Sequence, residues 1–304
     1  MKAAVFGSTG FVGNYLVSEL LVSGYEVNAL IRSGSESKLE HVNKCTVFNG
    51  NIDDEDIVEQ VIKDSEVVIY NIGIIREFKS KNITYEKLHF EGAKLTIDLA
   101  EKYNIKRYIL MSANGACPKG TGYQTYKYKS EIYLKNKIRD WTIIRPSLIF
   151  GDSNGKKEFC SELKKDMLSL PFPAPLFFSG INIFSAGKFK MSPVHVKDVA
   201  KIFVSCINNN HAFKKVYEVG GDDFNWKEII KIITSAYNKN KLTVPAPAIA
   251  IATIALFLDR FEWFPISRDQ IIMLLQGNTC NSDNLFKRYN IEPIKFESSN
   301  LDYL

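Results

Sequence analysis

Six short apolar runs punctuate the first half of the chain: 2–6 (KAAVF), 26–31 (EVNALI), 45–48 (CTVF), 66–70 (EVVIY), 107–111 (RYILM) and 141–145 (WTIIR). Their lengths suit strands buried on both faces. Between them, residues 11–23, 54–64, 84–104 and 123–138 carry apolar positions at three- and four-residue spacing, the period of a helix with one buried side. Strand and helix in alternation predict an α/β chain: a doubly wound parallel sheet, helices on both faces, right-handed crossovers. The pattern changes after about residue 150. Residues 171–193 are rich in Pro, Phe, Gly and Ser and read as loop or lobe. The stretch 191–207 (MSPVHVKDVAKIFVSCI) reads as a turn into a helix that returns to the main domain. Residues 215–221 (KVYEVGG) form a strand that ends in a glycine turn, and 225–237 an amphipathic helix. The expected organisation is a sheet domain over 1–150, rejoined by 191–207, and a smaller C-terminal α/β lobe over 151–304.

The totals narrow the function classes. The 304 residues are 45% hydrophobic and 24% charged, as in ordinary globular proteins. A net charge of +5, with lysines spread along the chain, argues against a nucleic-acid partner. Five scattered cysteines, with no CxxC, read as reduced thiols in a reducing compartment. Four scattered histidines give no metal-ligand spacing, so no metal is expected. The first strand starts at residue 2, which leaves no room for a leader, and no apolar run reaches the length of a bilayer span. A cytoplasmic location follows as the expectation.

The chemistry begins at the first strand. It ends in GSTGFVG, Gly7-Ser8-Thr9-Gly10-Phe11-Val12-Gly13, and a helix opens there. A GxxGxxG in that context is a dinucleotide-binding turn. Gly7 allows the tight turn, Gly10 lets backbone approach a pyrophosphate, and Gly13 lets the helix pack closely on the sheet. The helix N-terminus supplies unpaired N–H groups and the positive dipole end. After the second strand come Arg32 and Ser33, with no acid before Glu36. An acid there would bind a ribose 2′-hydroxyl, whereas a guanidinium suits a 2′-phosphate. NADP(H) is therefore expected over NAD(H). Asn51 and Ile52 follow the third strand and flank the adenine in this reading. Asn71 and Gly73 follow the fourth and lie by the ribose.

In YQTYKYKSE (123–131), Tyr123 and Lys127 stand one helical turn apart. The pair reads as a proton-transfer couple, a cofactor clamp, or one face of an amphipathic helix. Tyr133 and Lys137 repeat the spacing.

With these residues placed, the chain resembles the extended and atypical short-chain dehydrogenase/reductases. The similarity is carried by GSTGFVG, HFEGAKLTIDLA (89–100), YILMSANGA (108–116), the YxxxK of Tyr123 and Lys127, IIRPSLIFG (143–151) and SPVHVKDVA (192–200), in that order. Within this family the chain looks most like the group of the NAD(P)H-binding accessory subunit of respiratory complex I and its bacterial relatives. FPISRDQIIMLLQGN (264–278) and the closing YNIEPIKFESSNLDYL are similar to that group's tail. The resemblance implies a Rossmann-like fold and a nicotinamide cofactor. Counting back from Arg145-Pro146 selects Tyr123 and Lys127 over Tyr133 and Lys137, and brings Glu131 onto a frequent family acid. It also puts Ser112, Pro146 and Ser147 among the cofactor-binding residues. Lys127 is implied to hold the nicotinamide ribose hydroxyls. The family's Ser or Thr after the fifth strand falls on Ala113. Ser112 stands one residue earlier, on the other face of a strand. Asn114 offers an amide, and His89 stands where many relatives have Asn.

Two functions are consistent with this pattern. The first is an NADP(H)-binding protein, weakly or non-catalytic, that serves a respiratory or membrane-associated assembly. The second is an NADPH-dependent oxidoreductase or epimerase acting on a small apolar carbonyl compound. Ala113 favours the first, and Tyr123 with Lys127 favours the second. Residues 244–265 (VPAPAIAIATIALFLDRFEWFP) read as a core helix of the lobe, or as a helix docking on a membrane surface or respiratory partner. Residues 173–189 could wall an apolar pocket above the nicotinamide.

Overall fold

A computed structural model describes residues 1–259, 261, 264 and 266–304. Trp263, at the end of the apolar segment noted above, lies outside the described residues. The first half runs β1 (Lys2–Phe6), α1 (Phe11–Val22), β2 (Glu26–Ile31), β3 (Thr46–Asn49), α2 (Glu55–Ile62), β4 (Val67–Tyr70), α3 (Gly92–Lys102), β5 (Arg107–Met111), α4 (Gly122–Lys137) and β6 (Asp140–Pro146). Beyond it come β7 (Ile149–Phe150), α5 (Phe159–Leu163), β8 (Ala174–Phe178), β9 (Lys190–Met191), β10 (Val194–His195), α6 (Val196–Ile207), β11 (Lys215–Val219) and β12 (Phe224–Asn225). The chain then runs through α7 (Trp226–Ala236), β13 (Thr243–Pro247), α8 (Ala248–Leu258), α9 (Arg268–Gln276) and α10 (Asp283–Arg288).

Seven of these strands form one sheet in the order β11-β6-β5-β4-β1-β2-β3. All its pairings are parallel. The fold is Rossmann-like and doubly wound, and the order reverses between β1 and β4. That switch point leaves a crevice at the carboxyl ends of the strands.

Strand alternation builds a core on each face. Ala3, Val5, Val67 and Ile69 pack with Leu16, Val17 and Leu20 of α1 and with Val199, Ile202 and Phe203 of α6. Ala4, Phe6, Val68 and Tyr70 pack on the other side with Val58, Val61, Ala93, Ile97 and Leu134 of α2, α3 and α4. Every residue of β4 and β5 is buried, which explains why these runs read as continuously apolar rather than alternating. A third core gathers Phe150, Trp226, Ile229, Ile233, Ala255, Ile271 and Phe296 in the C-terminal lobe.

Residues 84–104 do not form one regular helix. A π-turn spans Glu86–Glu91 before α3, and the Gly92 N–H reaches back five residues to the Lys87 carbonyl. The cause lies in the sheet below, where the buried Tyr70 hydroxyl donates to the Leu88 carbonyl at 2.7 Å. A hydroxyl competing for a helical carbonyl is a recognised cause of such irregularities.

The glycine turn is built as tightly as its pattern implies. Gly7 has φ +93° and sits against the backbone of Asn71, where a Cβ would lie 2.9 Å from the Asn71 carbonyl carbon. A Cβ on Gly13 would lie 2.0 Å from the Gly7 oxygen and 2.7 Å from the Ser8 oxygen. Both obstacles are backbone, so neither can turn aside. Gly13→Ala is expected to lower the midpoint of thermal unfolding by about 2–5 °C, through overpacking of about 1–3 kcal/mol. An unchanged melting curve would contradict this packing.

Candidate cofactor site

The strand order brings the sequence-selected residues to one edge. Gly7–Gly13 follow β1, Arg32 and Ser33 follow β2, Asn51 and Ile52 follow β3, and Asn71 and Gly73 follow β4. They line the carboxyl ends of neighbouring strands, around the switch point. At the phosphate loop, Gly10 is the N-cap of α1, makes no side-chain cap, and is followed by no acid in the first turn. The first N–H groups of α1 therefore have no side-chain acceptor. Thr9 and Phe11 flank Gly10 and are partly exposed, as is Val12.

Two buried side chains hold this loop. The Ser8 hydroxyl faces the Leu30 carbonyl at 3.4 Å. The Asn14 amide donates to the carbonyls of Gly10 and Lys38 at 3.0 Å, and its oxygen accepts from the Glu40 N–H at 2.9 Å. Asn14 thereby ties the phosphate loop to the segment after β2. Sequence reading missed it; the available signal was a lone amide inside an otherwise apolar helical turn. Arg32 is exposed and makes no ion pair among the described residues. Ser33 is exposed beside it, Asn51 is exposed, and Ile52 is buried. The Asn71 amide turns back toward the Gly7 carbonyl at 3.5 Å.

Helix α4 enters the site from the opposite side. A capping box of Thr121 and Gln124 starts it, which orients Tyr123 and Lys127 toward the end of β4. Lys127 is buried, and its ammonium donates to the Met111 carbonyl at 2.9 Å and the Ile72 carbonyl at 3.4 Å. A buried ammonium without partners would cost several kcal/mol, and the two carbonyls offset that. An ammonium has three N–H donors. The third remains for a ligand hydroxyl, beside Gly73, whose missing side chain leaves Lys127 Nζ 3.4 Å from the Cβ position. Burial lowers the Lys127 pKa to about 8, against the opposing pull of Glu131. The Tyr123 hydroxyl makes no hydrogen bond among the described residues, and burial raises its pKa to about 12.

His89 occupies the π-turn and is buried. Its ring packs edge-on against Tyr123 with centroids 5.2 Å apart, and lies 5.4 Å from Tyr85. Nε2 accepts from the Ile74 N–H at 3.0 Å. Burial, and then the Lys127 charge, hold its pKa well below the usual histidine range. His89 is thus neutral and holds the loop after β4. Arg76, in the same loop, donates to the carbonyls of Asp259 and Phe261 at the end of α8, and to that of Phe264.

Three sequence-selected residues point elsewhere. The Ser112 hydroxyl is buried and donates to Glu131 Oε1 at 2.5 Å, about two helical turns along α4 from Tyr123. Pro146 is buried and pairs in register with Val219. The Ser147 hydroxyl donates to the Asn278 carbonyl at 2.7 Å. Ala113 contributes only a methyl group, and the Asn114 amide is taken by the Thr279 carbonyl at 3.0 Å. Segment 112–114 therefore offers no free hydroxyl to a ligand, and of its side-chain donors only the second N–H of the Asn114 amide remains. The apolar stretch 173–189 divides as well: Leu176 and Phe177 are buried in the third core, while Ile181, Ile183 and Phe184 face outward and wall no pocket. Among the described residues no cluster of potential metal ligands occurs, and no helix is long and apolar enough to cross a membrane.

The residues present fit a nicotinamide dinucleotide: open N–H groups for its phosphates, a spare ammonium donor for its ribose, and glycines at both points of close approach. Comparisons with known proteins agree. An NAD(P)H-binding family profile matches residues 7–167, more than half of the chain. The chain is 29% identical over 322 aligned residues to the mitochondrial NADH dehydrogenase [ubiquinone] 1 alpha subcomplex subunit 9 of Arabidopsis thaliana, covering 99% of this chain and 77% of the relative. It is 25% identical over 312 residues to the mitochondrial NADH-ubiquinone oxidoreductase 40 kDa subunit of Neurospora crassa, covering 99% and 78%. Among solved structures, the Thermus thermophilus UDP-glucose 4-epimerase complex with NAD superposes with a TM-score of 0.73 at 17% identity, over 100% of this chain and 98% of the other. At that identity the likeness is one of fold. The glycine turn, the clamp on α4 and these similarities together mean that the chain belongs to the NAD(P)H-binding family, as an extended short-chain dehydrogenase/reductase relative of the complex I accessory subunit.

Proposed function

We propose that the chain is an NADP(H)-binding, weakly or non-catalytic protein that serves a respiratory or membrane-associated assembly. In this reading residues 1–150 bind the cofactor, with 191–207 packed beneath them, and 151–304 form the lobe that faces the partner. The observation that carries it is the state of segment 112–114. Ala113 has no hydroxyl, the Ser112 hydroxyl is committed to Glu131, and one of the two Asn114 amide N–H groups is taken by the Thr279 carbonyl. A positioned donor at a developing oxyanion is worth about 10²–10³ in rate. Tyr123 reinforces the point, because burial raises its pKa to about 12 and keeps its proton in place at neutral pH. Tyr123 and Lys127 then act first as a clamp.

When bound, the cofactor supplies hydride-transfer capacity. This chain's own residues orient and hold it: Gly7–Gly13 and the start of α1 face its phosphates, and Lys127 its ribose. Arg32, exposed and unpaired at the end of β2, supports a 2′-phosphate and hence NADP(H) over NAD(H). The relatives named as mitochondrial complex I subunits support the assembly role and a site peripheral to a membrane. The second reading, an NADPH-dependent oxidoreductase or epimerase on a small apolar carbonyl, is favoured by the retained Tyr123 and Lys127.

Three measurements test this reading. Wild-type protein binds NADPH more tightly than NADH by calorimetry, and Arg32→Ala reduces that preference about tenfold or more, since one charged contact to phosphate is worth about 1.5–3 kcal/mol. Equal affinities in the wild type would overturn it. NADPH affinity falls as pH rises through about 8, because Lys127 is charged below that value and loses its proton above it. The pH step disappears in Lys127→Met, which binds weakly throughout. Finally, Ala113→Ser raises NADPH-dependent reduction of small carbonyl compounds by up to about 10²-fold and leaves cofactor affinity unchanged. Wild-type turnover already on the order of 1 s⁻¹ or faster would favour the enzyme reading.

A further inference from the structure

Fifteen large apolar side chains are exposed among the described residues, and eleven of them fall in 170–184 and 242–261. Phe172, Ile181, Phe184, Leu242, Ile249 and Phe257 are each at least 65% exposed. These two segments are far apart in sequence but meet in space. Strands β8 and β13 pair in parallel, from Thr243 opposite Ala174 to Pro247 opposite Phe178. Ile181 follows the end of one strand and Ile249 the end of the other. Leu242 and Phe172 flank their starts. The exposed residues therefore belong to one surface built around this ribbon, continued by α8.

Helix α8 itself, AIAIATIALFL, carries no charge. It buries Ala248 and Ala255 and presents Ile249, Ile254 and Phe257 outward. A helix apolar on all sides and covered on one of them calls for an apolar partner. Its 11 residues extend only about 16 Å, far less than a bilayer core of about 30 Å. The charge pattern selects the partner. Residues 170–191 and 237–261 contain Lys188, Lys190, Lys239, Lys241 and Arg260 against a single acid, Asp259. None of these lysines is in an ion pair among the described residues. Apolar side chains accompanied in sequence by lysines that make no ion pair, Lys241 donating only to the Leu170 carbonyl, fit the interface of an anionic bilayer, where the first enter the acyl boundary and the second meet headgroups.

We infer that the β8–β13 ribbon and α8 form one surface that lies in the interface of an anionic lipid bilayer. This deepens the assembly role proposed above by assigning the membrane contact to two segments. It is independent of whether the site turns over a substrate.

The test is co-flotation of the full chain with phosphatidylcholine vesicles, with and without about one-third phosphatidylglycerol. Wild-type protein floats with the anionic vesicles, and Lys239→Glu with Lys241→Glu lowers the bound fraction several-fold. Phe184→Ser, Ile249→Ser and Phe257→Ser together lower it about tenfold or more. NADPH affinity, measured on the same samples, is unchanged in both variants and reports an intact fold. A wild-type chain that stays off both vesicle types, or one whose flotation survives the triple substitution, overturns the inference. Failure to float with NADPH binding intact refutes the lipid surface alone; flotation without NADPH binding refutes the cofactor reading alone. A wild-type dimer in sedimentation that the triple variant abolishes, with no flotation, assigns the surface to a second copy instead.

Discussion

Glu131 is the constraint on which the site rests. Its carboxylate is fully buried and accepts from Ser112 Oγ and, in bidentate fashion, from Arg145 Nε at 2.8 Å and Nη2 at 2.7 Å. A buried carboxylate is tolerable only when paired and hydrogen-bonded, because its desolvation alone costs several kcal/mol. Ser112 directly follows β5 and Arg145 lies in β6, while Glu131 itself is on α4. Meeting Glu131's needs therefore sets the rotation and the height of α4 over the ends of two strands. One turn earlier on the same helix, Lys127 is delivered to the carbonyls of Met111 and Ile72. The same carboxylate also takes the hydroxyl of Ser112, the residue next to Ala113.

The second half of the site is held by neutral contacts. His89 keeps the loop after β4 in place with its ring nitrogen, and remains uncharged because it is buried next to the Lys127 ammonium. Arg76 in that loop binds carbonyls at the end of α8. The nicotinamide end of the crevice is thus joined by hydrogen bonds to the apolar helix of the C-terminal lobe.

Much of this was legible in the residues. Continuous apolar runs such as EVVIY and RYILM predict strands buried on both faces, and β4 and β5 are so. GSTGFVG predicts a turn whose glycines admit no side chain, and Gly13 meets the Gly7 oxygen as such a turn requires. The one-residue offset of Ser112 from the family's position goes with a hydroxyl that donates to Glu131. Less legible were the π-turn at His89, which depends on a tyrosine in another element, and Asn14, whose three partners are 4 to 26 residues away.

Sequence by itself determined the strand–helix alternation and the tight glycine turn, because each depends on neighbours within about one turn or one strand, whereas local spacing left Tyr123–Lys127 and Tyr133–Lys137 both open and only the family resemblance chose between them. Tertiary structure alone decided what those residues have left to give. Whether a hydroxyl or amide is free depends on acceptors contributed by other elements: Glu131 takes Ser112, Thr279 takes Asn114 and Asn278 takes Ser147. The same holds for the apolar surface of the lobe. Residues 170–184 and 242–261 become one face only because β8 pairs with β13. Local spacing cannot encode a pairing between strands some seventy residues apart.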